Sequence, residues 1–317
     1  MGMVLSYLTV AAVLVLLVSL CAFLVTFYVP RRGKRQEDEY AIPPGKVYEP
    51  HRDTMVAWMK ETRALPHEEV SIRSRDGLKL YGKYYEFAPG APIELMFHGY
   101  RGSADRDLCG GVQRCFALGH SALIVDQRTS GKSEGRVITF GVKERWDCLD
   151  WACFMVEHFG PRVQIILCGI SMGAATVMMA AGEDLPPNVV GVLADCGYTS
   201  ARDIIKKVIR QMKLPQCLYP FVKLGARIYG GFNLEETAPA QALEKCRVPV
   251  IFFHGDTDDF VPCEMSRLNY EHCAAPKKLV TVPRAGHGLS YLIDREGYLS
   301  ALEEFAPVWG LVPTKEI

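Results

Sequence analysis

No N-x-S/T sequon occurs in the chain: its only asparagines are Asn188, Asn233 and Asn269, each in another context. No C-x-x-C pair occurs either, although there are 11 cysteines. Pairs such as Cys109/Cys115 and Cys148/Cys153 have neither zinc-ribbon nor redox spacing. The thiols are therefore expected to be free and buried, which suits a reducing compartment. Neither sign of charge is in excess, since 36 Lys plus Arg balance 36 Asp plus Glu. That removes the basic surplus of a nucleic-acid binder. With 49% hydrophobic residues and no net charge, the chain is not a disordered one. Internal repeats and low-complexity tracts are missing from residues 67–317. The loop Asp126 to Gly135 holds Gly131, Lys132 and Ser133 but lacks the G-x-x-x-x-G-K-[ST] spacing of a phosphate loop. Asp126 and Arg128 are read instead as braces of that loop. Nothing implies a metal or nucleotide, and no cofactor is expected.

Charge is also absent locally. Met3 to Val29 is 27 residues without Asp, Glu, Lys, Arg or His. As a helix it would span about 40 Å at roughly 1.5 Å per residue, more than a bilayer core of about 30 Å. A cleaved signal peptide would want a basic start, a shorter apolar stretch of about 7–15 residues and a small-residue cleavage site. No Lys or Arg precedes this run, so an uncleaved single-pass anchor is expected through residues 3–29. Met1-Gly2 and Ser6 match the letters of a myristoylation signal, but the residues between already belong to the span. Arg31, Arg32, Lys34 and Arg35 follow the run at once. The positive-inside rule then predicts that the part after the span lies in the cytoplasm.

Three regions follow: an anchor at 1–30, a juxtamembrane linker at 31–66 containing Ile42-Pro43-Pro44-Gly45, and one domain at 67–317 of 251 residues. Within the domain, Glu69–Ser74 and Leu78–Glu86 flank Asp76-Gly77, a two-residue hairpin signal. Short apolar runs at 93–97, 122–125, 163–168, 189–194, 248–253 and 278–282 alternate with helical stretches at 107–118, 142–159, 172–181 and 288–305. Such alternation predicts a largely parallel sheet with helices on both faces. Residues 199–247 break the rhythm, with helical signal at 204–212 and 218–228 and prolines at 215, 220 and 239. They are expected to form a small helical cap over the sheet's end.

Gly169-Ile170-Ser171-Met172-Gly173 lies between a strand and a helix and matches the G-x-S-x-G nucleophile elbow. The turn is so tight that side chains at the two flanking positions would clash, hence Gly169 and Gly173. It lifts the Ser171 hydroxyl above the strand ends, at a helix N-terminus that favours a developing oxyanion. Serine needs a base, and the base an orienting acid, in the chain order Ser, Asp or Glu, His. His287, between Gly286 and Gly288 after the last strand, is the candidate base. Asp256, Asp258 and Asp259, after the preceding strand, are the candidate acids. Asp195 is an alternative acid position and otherwise a loop brace. His98-Gly99-Tyr100-Arg101-Gly102 follows the strand at 93–97, where elbow enzymes draw one oxyanion-hole N–H; the other comes from the residue after the serine. The backbone N–H groups of Tyr100 and Met172 take these roles, and Gly99 lets the loop bend close. The Tyr100 ring is a candidate lining of the acyl pocket.

These segments, over about residues 68–307, resemble the α/β-hydrolase superfamily. Within it the chain is similar to the serine-aminopeptidase-like and prolyl-oligopeptidase-like hydrolases with a short cap, a group that includes membrane-anchored members. The resemblance implies an eight-stranded, mostly parallel sheet and a cofactor-free serine hydrolase. It also implies the register at Val261-Pro262 that selects Asp258 as the acid and leaves Asp256 to hold the turn. Where relatives often have Arg-Gly or Arg-Ala-His-Gly, this chain has Arg128-Thr129-Ser130-Gly131. The function expected is hydrolysis of an ester or thioester through Ser171, His287 and Asp258, acting on a small-molecule or acyl substrate. A peptidase on the same triad is the alternative. A silent binding module would show a substituted triad residue, and a structural membrane adaptor has only the anchor in its favour.

Overall fold

The computed structural model describes residues 2–30 and 40–311. The basic cluster at 31–35, on which the orientation rests, lies outside them. The chain opens with α1 (Gly2–Thr26), one helix long and apolar enough to cross a membrane. Its residues 3–18 are exposed at every position, but Ser19, Phe23 and Phe27 are buried on the domain. Next comes α2 (Arg52–Ala64), inside the stretch expected to be a linker. That expectation is corrected here: Met55 and Met59 pack with Ile42 and Cys109, and the Thr62 hydroxyl donates to the Cys109 carbonyl. The buried positions 55, 59 and 62 are three to four apart, a helical period short enough to be masked by Arg52, Lys60 and Arg63.

Two strands, β1 (Glu68–Arg73) and β2 (Lys79–Tyr85), form the antiparallel edge. Their turn spans three residues rather than two. The Ser74 amide donates to the Leu78 carbonyl, and Gly77 takes φ +90°. The Ser74 hydroxyl, bound to Asp76, also accepts from the Leu78 amide and widens the turn. Then follow β3 (Ile93–Phe97), α3 (Ala104–Asp107), α4 (Cys109–Ala117), β4 (Ser121–Asp126), α5 (Glu144–Phe159), β5 (Ile165–Ile170), α6 (Met172–Ala180) and β6 (Val189–Asp195). The single helix expected at 107–118 is split at Leu108. The cap comprises α7 (Ala201–Gln211), α8 (Tyr219–Ile228) and α9 (Pro239–Leu243). The chain ends on β7 (Val250–Gly255), α10 (Cys263–His272), β8 (Lys277–Val282), α11 (Ser290–Ile293) and α12 (Arg295–Phe305).

The eight strands lie in the order β1-β2-β4-β3-β5-β6-β7-β8, parallel from β4 to β8. The central strands β3, β4 and β5 are buried almost throughout, which is why they read as continuous apolar runs. α5 and α6 cover one face, with Trp151, Met155 and Val177 in its core. α4 and α12 cover the other, with Val112, Cys115, Leu302 and Phe305. The winding direction reverses between β3 and β5, so a crevice opens at their C-terminal ends.

A third apolar cluster joins the cap to α6 and to the end of α1. Phe27 is fully buried there, its ring edge-on to Phe140 and Phe232. Main-chain bonds fasten the same segment: Val29 N–H to Arg136 O at 2.8 Å and Ile138 N–H to Phe27 O at 2.9 Å. Phe27→Ala should therefore cost about 3 kcal/mol, the usual loss for a buried Phe. Differential scanning calorimetry should show the melting point fall by several degrees. An unchanged midpoint would mean that the helix end is not part of the folded domain.

Candidate active site

Ser171 stands between β5 and α6 with φ +57° and ψ −116°, a conformation that non-glycine residues rarely adopt. The surroundings leave it no choice. A Cβ on Gly169 would lie 2.2 Å from the Gly173 backbone. One on Gly173 would lie 2.0 Å from the Phe97 carbonyl oxygen. Strand and helix thus approach to backbone contact, and the Ser171 amide is spent on the Asp195 carbonyl at 2.8 Å.

The loops after β7 and β8 bring the acid and the base to this elbow. His287 Nε2 lies 2.9 Å from Ser171 Oγ, and its Nδ1 lies 2.7 Å from Asp258 Oδ2. Asp258 is buried, and its Oδ1 accepts from the amides of Phe260 at 2.9 Å and Val261 at 2.8 Å. Burial alone would raise its pKa. Hydrogen bonds from His254 and His287, the charge of His287 and the Val261 amide outweigh that and hold the carboxyl well below the usual range.

The other carboxylates have other partners. Asp256 Oδ1 accepts from the Arg284 amide at 2.6 Å and so ties the two loops together. Asp259 is exposed, and its carbonyl accepts from Lys207 and Gln211 of the cap. Asp195 is buried and accepts from Ser290 at 3.0 Å and Tyr298 at 3.2 Å, and burial pushes its carboxyl up. The bracing of the Asp126 loop is as expected. Asp126 accepts from the Ala104 and Lys132 amides, and Arg128 forks onto both Asp147 and Asp76.

The loop after β3 runs beside the serine: a Cβ on Gly99 would be 3.6 Å from Ser171 Cβ. A turn with Arg101 at φ +52° closes when the Gly102 amide bonds the Gly99 carbonyl. Asp107 accepts from the Gly99 amide at 3.3 Å, holding the loop in place. Met172 opens α6, so its amide has no acceptor within the helix. The Tyr100 hydroxyl is turned away to the Thr26 carbonyl at 2.7 Å, and its ring packs on Phe140. The side chain expected to line the acyl pocket thus fastens α1 to the loop after β3.

Three contributors escape a reading of the sequence. His254, fully buried, sets Nε2 3.2 Å from Asp258 Oδ2 and 2.8 Å from the Val261 carbonyl, while Nδ1 faces the Ser266 hydroxyl at 2.6 Å. Its only sequence signal is its place at the end of β7, four residues before the acid. Val47, from the supposed linker, reaches the base loop: a Cβ on Gly286 would come within 2.6 Å of it. Cys196 is the third. Its sulfur and the candidate ligand atoms of Asp258 and His287 lie within 4.8 Å of one another, the one such trio among the described residues. Burial pushes this thiol up, and Nδ1 of His287 is engaged with Asp258, so the trio is a hydrogen-bonded Asp258–His287 pair with a neighbouring thiol.

No protein-family model matches the chain. The uncharacterised protein YqkD of Bacillus subtilis is 28% identical over 190 residues, 59% of this chain and 62% of YqkD, so the match spans under two thirds of that relative. Protein bem46 of Schizosaccharomyces pombe is 25% identical over 76% of this chain and 77% of its own. Thiohydrolase aneE of Aspergillus aculeatus is 27% identical over 48% of this chain and 50% of its own. Among solved structures, the esterase Pf2001 of Pyrococcus furiosus superposes with a TM-score of 0.65 at 22% identity, covering 79% of this chain and 93% of that one. With its eight-stranded sheet wound about a serine elbow between β5 and α6, the chain has the α/β-hydrolase fold.

Proposed function

We propose that the chain is a membrane-anchored serine hydrolase that cleaves a carboxylic ester or thioester through an acyl-enzyme. The observation that carries this reading is the continuous hydrogen-bonded path Ser171–His287–Asp258 at 2.9 and 2.7 Å. Ser171 Oγ attacks the carbonyl carbon while His287 Nε2 takes its proton, and Asp258 stabilises the imidazolium. The amides of Tyr100 and Met172 bind the oxyanion. Collapse breaks the acyl bond, and the alcohol or thiol leaves with the proton from Nε2. Water then adds to the acyl-enzyme with His287 again as base, and the acid product departs. The esterase and thiohydrolase among the similar proteins favour these leaving groups over an amine.

A panel of p-nitrophenyl esters of rising chain length, acyl thioesters and aminoacyl nitroanilides tests the substrate class. Esters or thioesters are expected to turn over and the nitroanilides not. Faster cleavage of the nitroanilides would make the enzyme a peptidase.

The burial of Ser19, Phe23 and Phe27 favours a retained anchor over a cleaved leader, because cleavage would strip the cap of part of its core. The catalytic domain is proposed to face the cytoplasm, on the basic residues 31–35. Protease added to intact cells should then leave residues 40–311 whole. Their digestion in unbroken cells would reverse the orientation.

A further inference from the structure

The cap does not merely sit above the site; it runs along the membrane helix. A Cβ on Gly225 of α8 would meet the Ser19 carbonyl at 2.5 Å and Phe23 Cβ at 3.1 Å. One turn further, the Tyr229 hydroxyl donates to the Leu16 carbonyl at 3.1 Å. α8 therefore lies antiparallel against the last third of α1. Residues 3–18 are the part of α1 exposed at every position, with the Leu16 carbonyl held by Tyr229. Those residues cover about 24 Å at 1.5 Å per residue, short of a hydrocarbon core of about 30 Å. The shortfall has to be met by the docked turns from Ser19 onward. Their outward face, Cys21, Leu24 and Val25, is exposed and apolar. Whatever depth those turns occupy, α8 occupies beside them.

The cap's composition fits that depth. Residues 201–228 carry seven Lys and Arg against the single acidic residue Asp203, a net +6 in a chain of net charge zero. Arg202, Arg210, Lys213 and Arg227 are exposed, interleaved with exposed Met212 (59%), Leu214 (42%) and Ile228 (49%). Basic side chains around protruding apolar ones, on amphipathic helices, are the pattern of an interfacial surface on anionic lipid. The same helices border the triad. Lys207 and Gln211 of α7 bond the carbonyls of the acid loop, whose Phe260 is part exposed with its ring 5.0 Å from that of His287.

We propose that the outer face of α7 and α8 beds in the headgroup layer of an anionic leaflet, and that the acyl chain cleaved at Ser171 is drawn from that leaflet. The substrate is then a lipid-borne acyl ester. The substrate half rests on the serine-hydrolase reading above; the seating of the cap does not.

The test uses the full chain in phosphatidylcholine vesicles with and without phosphatidylglycerol. In a background with exposed Cys21, Cys153 and Cys217 replaced by Ser, an environment-sensitive dye is placed on Met212→Cys or Ile228→Cys. A separate variant that keeps Cys153 on α5 as its one exposed cysteine, with neither cap cysteine added, serves as the control. Doxyl-lipid should quench the two cap dyes and spare the control. Equal quenching by aqueous iodide at all three positions would overturn the seating. A triple variant, Arg202→Glu with Arg210→Glu and Lys213→Glu, should hydrolyse a long-chain ester in phosphatidylglycerol vesicles about tenfold more slowly, given the charge it removes from the surface. Its turnover of soluble p-nitrophenyl butyrate should not change. Quenched dyes with unchanged vesicle hydrolysis would overturn the leaflet as substrate source. Quenched dyes with no fluorophosphonate labelling of Ser171 and no turnover of either ester would leave the seating standing and remove the hydrolase reading.

Discussion

Ser171→Ala will abolish fluorophosphonate labelling and lower ester turnover by about 10⁴-fold or more, with the fold intact. The fold survives because the elbow is held by backbone groups. The Ser171 amide bonds Asp195, and Gly169 and Gly173 pack backbone on backbone. Alanine at φ +57° keeps the same strain, so the melting point should barely move. The hydroxyl's side-chain hydrogen bond in the described structure is to His287 Nε2 at 2.9 Å, and that bond belongs to the proposed chemistry. Full labelling of the Ala variant would show that another residue is the nucleophile.

Asp258→Asn will lose about 10⁴ in kcat, because an amide at this position stabilises the wrong imidazole tautomer. The carboxylate accepts from His287, His254 and two amides, and an Asn NH₂ cannot accept in place of Oδ2. Asp256→Asn will leave kcat nearly unchanged and lower stability, since its carboxylate serves the Arg284 amide at φ +63°. Steady-state kinetics and thermal melts of the two variants separate the roles. Reversed effects would move the acid to Asp256 and overturn the register at Val261-Pro262.

The parts legible in the sequence are those with a local cause. β3 and β5 showed because a strand buried on both faces must be apolar throughout. The elbow showed because its turn tolerates only glycine on either side of the serine. His287 and the acid loop 256–259 were legible because the ends of parallel strands deliver their loops to one rim; the choice of Asp258 within that loop was implied by the resemblance at Val261-Pro262. What stayed hidden depends on contacts that only the folded chain makes. α2 shows only three buried positions, and those are recognisable only against Cys109 and Ile42. His254 is a lone histidine until the fold sets it on Asp258. The docking of α1 was hidden most completely. A membrane span is read from apolarity, and apolarity does not distinguish lipid from the cap's Gly225 and Phe232. Tyr100 illustrates the same limit: its backbone position followed from the loop, whereas its side chain answers to Thr26.

The central claim is that Ser171 is an activated nucleophile, and peptide mapping after fluorophosphonate treatment of the full-length protein tests it most directly. A single adduct on the peptide containing Ser171, lost in His287→Ala, is the predicted result. An adduct on another residue, or none from folded protein, would contradict it.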